Sequence, residues 1–407
     1  MASTTVRILR SLAAAALLAA AFGCSAPDDG SSDGKTTDSS EVPAKPGKPV
    51  SVNILDVAGN LQLTQGMIDE FVQEHPDVIR SVDYDKAPAP DLAGKIKAQQ
   101  QAGKVQIHLV LTGTDGLAAG IDQGLWTRMS PDFDDRLGKI PYLPPAAAMA
   151  ELAQGQGTAL VYYPSGPLTE YNPEKLDAAP ASPQALLDWA KAHPKRFQYA
   201  DPANSGPGRT FLMGLPYLLG DSDPKDPENG WDKTWAYLKE LDKYVGVYAS
   251  GTAETMKNLA TGAVDMITTT TGWYINPRAL QTVPKEMAVG AFDDMTWVTD
   301  AQYAVIPKGV DNDTMAALLE LITWMLTPEQ QAKAYDDGYF YPGPAVEGVT
   351  LDMAPQKSQD VVEEYGVPDF DTWIEKFPKE PSLPAEKQVL AFEKWNREIG
   401  GGKKSAG

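Results

Sequence analysis

Apolar and polar positions follow one another along this chain in a repeating order of strand, turn and helix. Val50-Ser51-Val52-Asn53-Ile54-Leu55 alternates with a period of two and predicts a strand that breaks at Val57-Ala58-Gly59-Asn60. Met67, Ile68, Phe71 and Val72 then recur at helical spacing until His75-Pro76 ends the helix. A second strand is predicted near residues 78–84 and a polar amphipathic helix over 92–102. Residues 106–111 form a near-continuous apolar run of the buried parallel-strand kind. It ends at Thr112-Gly113-Thr114-Asp115-Gly116, a glycine turn into a helix over 117–123. Residues 158–163 are the next strand, broken at Pro164-Ser165-Gly166-Pro167. Ser182-Pro183 opens another helix as N-cap and first helical residue. Further helices are predicted over 231–243, 255–259 and 314–326, and strands over 264–268, 288–292 and 301–308. Beyond the turn at Phe340-Tyr341-Pro342-Gly343-Pro344 the chain reads as helical, with a Gly- and Lys-rich tail from Gly400. Strands alternating with helices imply an α/β layered architecture.

One stretch in the middle stands apart: Tyr199-Ala200-Asp201-Pro202-Ala203-Asn204-Ser205-Gly206-Pro207-Gly208-Arg209-Thr210-Phe211. Its prolines bar a continuous helix or central strand, and its glycines permit close backbone approach. The pattern predicts a strand end, an ordered turn and a helix start, whose free N–H groups can hold a ligand oxygen. Asp201 and Arg209 put opposite charges on the same turn.

The two ends of the chain change the picture. Arg7 and Arg10 precede an apolar run from Leu12 to Phe22, too short to span a bilayer, so residues 1–24 read as an export signal. It ends at Cys24, the chain's one cysteine, which resembles the lipidated cysteine of a bacterial lipobox, with Ala21 where that pattern has leucine. Residues 25–49 are Ser, Asp, Gly, Lys, Thr and Pro with almost no large apolar side chain and predict a disordered tether. The remaining body is too long for one simple core and suggests two lobes. A net charge of -20, from 55 acidic and 35 basic residues, argues against a nucleic-acid partner.

Catalytic chemistry finds little to work with. His75, His108 and His193 are the three histidines, none at metal-ligand spacing from another, and Cys24 is committed to the anchor. The expectation is no enzyme, no metal and no cofactor. Tyr162 and Tyr163 are adjacent, but on a strand they face opposite sides, too few ligands for iron.

Three segments carry a family resemblance: residues 196–209 around Asp201-Pro202, Leu259-Ala260-Thr261-Gly262-Ala263-Val264-Asp265-Met266, and Ala304-Val305-Ile306-Pro307-Lys308-Gly309 with the helix and Thr327-Pro328-Glu329 that follow. Over residues 50–345 the chain resembles extracellular solute-binding proteins of bacterial ABC importers, in the group that includes spermidine/putrescine, iron and thiamine binders. The resemblance implies an α/β, two-lobed periplasmic-binding-protein fold, type II-like, with an interlobe ligand cleft. Lobe 1 is expected from residues 50–160 and 298–400 with the C-terminal helices, and lobe 2 from 161–297, with crossing strands near 158–163 and 297–303. The expected partners are a small-molecule solute and an ABC permease, with the membrane reached through the lipid anchor alone. The protein would act as a monomer on the outer face of the cytoplasmic membrane.

Ligands of open α/β sheets sit beyond the carboxyl ends of strands, and Gly59, Gly113, Gly206 and Gly272 all fall at such ends. The expected ligand-binding residues are Asn60, Thr114 and Asp115 in the first lobe and Asp201, Ser205, Gly206, Arg209, Thr271, Trp273 and Tyr274 in the second, with Asp300 at a further turn. Aromatic rings and carboxylates favour a polyamine-like cation, slightly ahead of a sugar stacked on Trp126, Trp273, Tyr274 or Trp297. Arg209 argues for an anionic or zwitterionic ligand unless it pairs internally with Asp201. An adhesion or scaffold lipoprotein with no solute is the alternative of another class.

Overall fold

The computed structural model describes residues 38–57 and 59–405. The expected signal segment with Cys24, and most of the expected tether, lie outside the described residues. The strands are β1 (Val50–Asp56), β2 (Ile79–Lys86), β3 (Leu109–Gly113), β4 (Thr158–Gly166), β5 (Leu168–Tyr171), β6 (Phe197–Gln198), β7 (Met266–Thr269), β8 (Ala288–Ala291), β9 (Trp297–Val305), β10 (Gly343–Pro344) and β11 (Lys379–Pro381). They form two sheets, and each organises its own lobe.

The first sheet runs β10-β4-β9-β3-β1-β2. β1 pairs in parallel with β2 and β3, the register expected of strands joined by crossover helices. Antiparallel β9 and β4 follow, and β11 lies parallel beside the first residues of β9. Apolar side chains leave both faces of the sheet. Ile54, Leu109, Leu111 and Leu160 pack on one side with Met315, Leu318 and Ile322 of the helix Asn312–Met325. Leu55, Val110, Tyr162 and Val305 pack on the other side with Leu92, Leu117 and Met149. Fully burying each such side chain contributes about 1.5–3 kcal/mol, an upper figure for a compact unfolded chain. β2 is the edge strand, and its exposed Arg80, Asp85 and Lys86 discourage pairing with another chain.

The second sheet runs β6-β7-β5-β8. β5 is antiparallel to both β7 and β8, and β6 is parallel to β7. Its core is aromatic, with Phe197, Tyr199, Phe211, Trp231, Trp235 and Trp395 buried together. β4 leads through Pro167 into β5, and β8 leads to β9, so β4 and β9 carry the chain between the lobes.

Several expectations give way here. β4 does not break at Pro164 but continues to Gly166, because an irregularity in its register with β9 between Tyr163 and Gly166 accommodates the proline. The strand expected from Gln106 begins at Leu109 instead, since the Gln99 side chain accepts from the N–H groups of Gln106 and Ile107 at 2.8 and 3.0 Å. The end of the expected tether docks on the body: Arg136 donates to the carbonyls of Pro43 and Ala44, each at 2.9 Å, and Val42 is buried. Composition could not show these partners, which are supplied by residues far along the chain. The C-terminal helices, expected in lobe 1, join the second core through Phe370, Ala391, Trp395 and Ile399. Trp395 decides this, donating from its indole to the Tyr199 hydroxyl at 2.9 Å inside an aromatic cluster.

Candidate functional site

A cleft of about 460 Å³ opens between the two sheets. Its first-lobe wall is built where β1 and β3 end, by Val57, Gly113 and Asp115. Its second-lobe wall is built by Asn204, Ser205, Gly206 and Arg209 after β6, by Thr270 and Trp273 after β7, and by Thr252. Four helices begin at this rim: Thr114–Asp122, Gly206–Leu219, Thr252–Ala260 and Thr271–Ala279. Each helix start leaves backbone N–H groups without intrahelical partners and carries about half a positive charge. Ser205 caps one by accepting from Gly208 N–H at 3.1 Å, and Thr270 caps another by accepting from Trp273 N–H at 3.3 Å. A cap uses one of the free donors and leaves others available.

Asp115 and Arg209 are the charged side chains in the lining. The Arg209 guanidinium donates to Asp300, which is fully buried behind it, and lies 3.8 Å from the Asp115 carboxylate. Asp300 also accepts from the Thr114 hydroxyl and from Ala301 N–H. Burial opposes the Arg209 charge, but Asp300 and Asp115 more than offset it and hold its pKa above the usual arginine value. Arg209 and Asp300 therefore neutralise each other, and Asp115 adds one negative charge to the wall.

An aromatic run crosses the cleft. Tyr163, on β4, stacks on Phe340 with ring centres 4.6 Å apart. Phe340 meets Tyr339 at 4.3 Å, and Tyr339 meets Trp273 edge-on at 5.6 Å. Gly272 makes this junction possible, since a Cβ there would fall 1.7 Å from the Tyr339 carbonyl oxygen. Gln302, buried on β9, donates to the Tyr163 hydroxyl at 3.4 Å, while its side-chain oxygen has no protein partner. Burial first, and then Asp300, raises the Tyr163 pKa, so its phenol stays protonated and can donate.

The sequence matches the bacterial extracellular solute-binding proteins over residues 66–362. The chain belongs to that family. No curated protein is a significant sequence match. Among solved structures, the fold is similar to that of the periplasmic binding protein AfuA from Actinobacillus pleuropneumoniae, with fructose-6-phosphate bound. Identity there is 19%, covering 86% of this chain and 98% of that one, with a TM-score of 0.59. It is similar to the spermidine/putrescine ABC transporter substrate-binding protein of Streptococcus pneumoniae at 16% identity, covering 85% and 99%, with a TM-score of 0.58. It is also similar to the binding protein MotA of A. tumefaciens B6 in complex with glucopine, at 17% identity, covering 86% and 99%, with a TM-score of 0.60.

As a member of the bacterial extracellular solute-binding family the chain is a binder rather than an enzyme. Of the expected site residues, Asp115, Ser205, Gly206, Arg209 and Trp273 line the cleft together. Thr114 and Asp300 lie just behind the wall, bonded to each other. Asp300 sits within β9 rather than at a turn, where the strand's buried polar position faces Arg209. The remaining four are not in the lining. Asn60 is buried, accepting from the Thr64 hydroxyl at 2.7 Å. Asp201 pairs with Lys404 at 2.6 Å rather than with Arg209. Thr271 donates to the Tyr341 carbonyl at 2.7 Å and so docks the segment that carries Tyr339 and Phe340. Tyr274 is a core residue whose hydroxyl donates to the Met287 carbonyl at 3.0 Å, with Arg278 over its ring.

Tyr163, Gln302, Tyr339 and Phe340 join the site without having been among the expected residues. Gln302 did leave a signal, as a lone amide inside the apolar run Ala301-Gln302-Tyr303-Ala304-Val305. Tyr339 and Phe340 left none, because they reach the cleft from a distant turn. The histidines have packing roles: His75 contacts Phe71 and Trp324, His108 accepts from Asn53 N–H at 3.0 Å, and His193 stacks on Trp189. Among the described residues no group of three or more His, Cys, Asp or Glu is placed to hold a metal ion.

Proposed function

We propose that this binding protein captures a small polar solute carrying both an amino group and an acidic group, and that it is exported and lipid-anchored through Cys24. The observation that supports the solute class is the distribution of charge around the cleft. Asp115 supplies one carboxylate on the first-lobe wall, Arg209 is neutralised by Asp300, and the helix starts at Gly206, Thr252 and Thr271 bring positive ends to the second-lobe wall. An ammonium group against Asp115 and an acid group against the helix starts would satisfy both walls as the lobes close. The aromatic run would cover the carbon chain between them. A polyamine-like cation is the second reading, favoured by Asp115 beside Tyr163, Trp273 and Tyr339. It has fewer carboxylates than expected, since Asp201 and Asp300 are engaged within the protein.

A thermal-shift panel of putrescine, spermidine, thiamine, fructose-6-phosphate and linear amino acids such as 4-aminobutyrate tests the solute class. A ligand at a hundred times its Kd adds about 2.7 kcal/mol of stability. The expected result is a shift with an amino acid that is lost in Asp115→Asn. A shift with spermidine or putrescine and none with any amino acid would replace this reading with the polyamine-like one. For the anchor, mass spectrometry of the membrane fraction is expected to find a diacylglyceryl adduct on Cys24; an unmodified mature protein starting elsewhere would refute it.

A further inference from the structure

The match to the solute-binding family ends at residue 362, yet the chain continues into the second lobe and reaches the back of the cleft wall. The wall there is made of two turns held to each other. Asp201 N–H donates to the Ala249 carbonyl at 2.9 Å, and the Ser205 and Thr252 hydroxyls are 2.8 Å apart. The last described residues clasp both turns from behind. Tyr248 N–H donates to the Lys403 carbonyl at 2.9 Å, and Ser405 N–H returns to the Tyr248 carbonyl at 2.9 Å. The Ser405 hydroxyl donates to Glu254 at 2.8 Å, and Glu254 also accepts from Ser250 N–H at 2.7 Å.

Asp201 is the meeting point. One carboxylate oxygen accepts from Ala203 N–H at 3.1 Å, and Ala203 lines the cleft. The other oxygen pairs with the Lys404 ammonium at 2.6 Å, and that ammonium also lies over the Trp395 ring. Asp201 is buried, so removing Lys404 would leave an unpaired charge there, which the turn would relieve by opening to water.

We propose that Lys404 is a positioning residue for the second-lobe wall: through Asp201 it sets the turn that presents Ala203, Asn204 and Ser205 to the solute. The C-terminal tail thereby becomes part of the binding machinery without touching the ligand. The consequence for binding rests on the cleft being the solute site, as proposed above. The test reads the turn itself, so a wrong solute assignment would leave the result standing.

The test is amide hydrogen exchange on the ligand-free full-length chain, comparing wild type, Lys404→Ala, Lys404→Arg and Asp201→Asn. Lys404→Ala and Asp201→Asn are expected to speed exchange at least tenfold in peptides covering residues 200–208. Peptides covering residues 109–116 of the first-lobe wall should keep wild-type rates, and Lys404→Arg should restore protection. Unchanged exchange over 200–208 in Lys404→Ala would overturn the proposal. An equal rise in both walls would also overturn it, by making the pair a general stabiliser rather than a brace for the turn.

Discussion

The two walls of the cleft are made from the same unit and finished differently. In both, a strand ends and a helix begins at the rim. In the second lobe the Ser205 and Thr270 hydroxyls cap the helices Gly206–Leu219 and Thr271–Ala279, and the C-terminal tail supports the turn before the first of them. In the first lobe the N-cap positions Asn60 and Gly113 make no side-chain cap bond. There Asp56 accepts from Asn60 N–H at 2.9 Å and Asp115 accepts from Gly116 N–H at 2.9 Å, so carboxylates take the place of hydroxyl caps. The first wall thus grows directly out of the ends of β1 and β3. The second depends on local caps and on residues contributed from the far end of the chain. On the proposed reading, a solute between them would meet the Asp115 carboxylate on the first wall and the hydroxyl-capped helix starts on the second.

The strongest way to break this arrangement is at the pair that joins the walls. Asp300→Asn leaves the buried Arg209 without its full partner and is expected to cost about 3–5 kcal/mol in urea unfolding. The same experiment on Lys243→Ala, which removes the exposed pair with Glu240, is expected to leave the urea midpoint near that of the wild type. Equal losses would mean that the Arg209 pair holds nothing between the lobes that a surface pair does not.

A smaller effect sharpens the contrast between the walls. Ser205→Ala removes a hydroxyl cap and is expected to cost about 1 kcal/mol. Gly206→Ala beside it, where a new Cβ would meet nothing within 4 Å, should change stability by no more than about 0.5 kcal/mol. A Ser205→Ala protein as stable as wild type would show that the second wall does not lean on its cap.

The sequence by itself determined the layered α/β class, most of the strands and helices, and the turns where a site could form. Those follow from local physics: apolar periodicity selects strand or helix, and Ser182 and the prolines beside helix starts mark the boundaries. The cleft-lining residues Ser205, Gly206, Arg209, Asp115 and Trp273 were legible for the same reason, since each follows a strand end that the local pattern marks. Only the tertiary structure decided which charges were already spent. Asp201 lies eight residues from Arg209, yet its partner is Lys404, and the partner of Arg209 is Asp300 on the strand returning from the second sheet. Tyr339 and Phe340 reach the cleft because Thr271 and Gly272 dock their segment. Ion pairing and ring packing depend on distance in space, and in this fold those distances are set by strands that cross between lobes and by a tail that returns to the second.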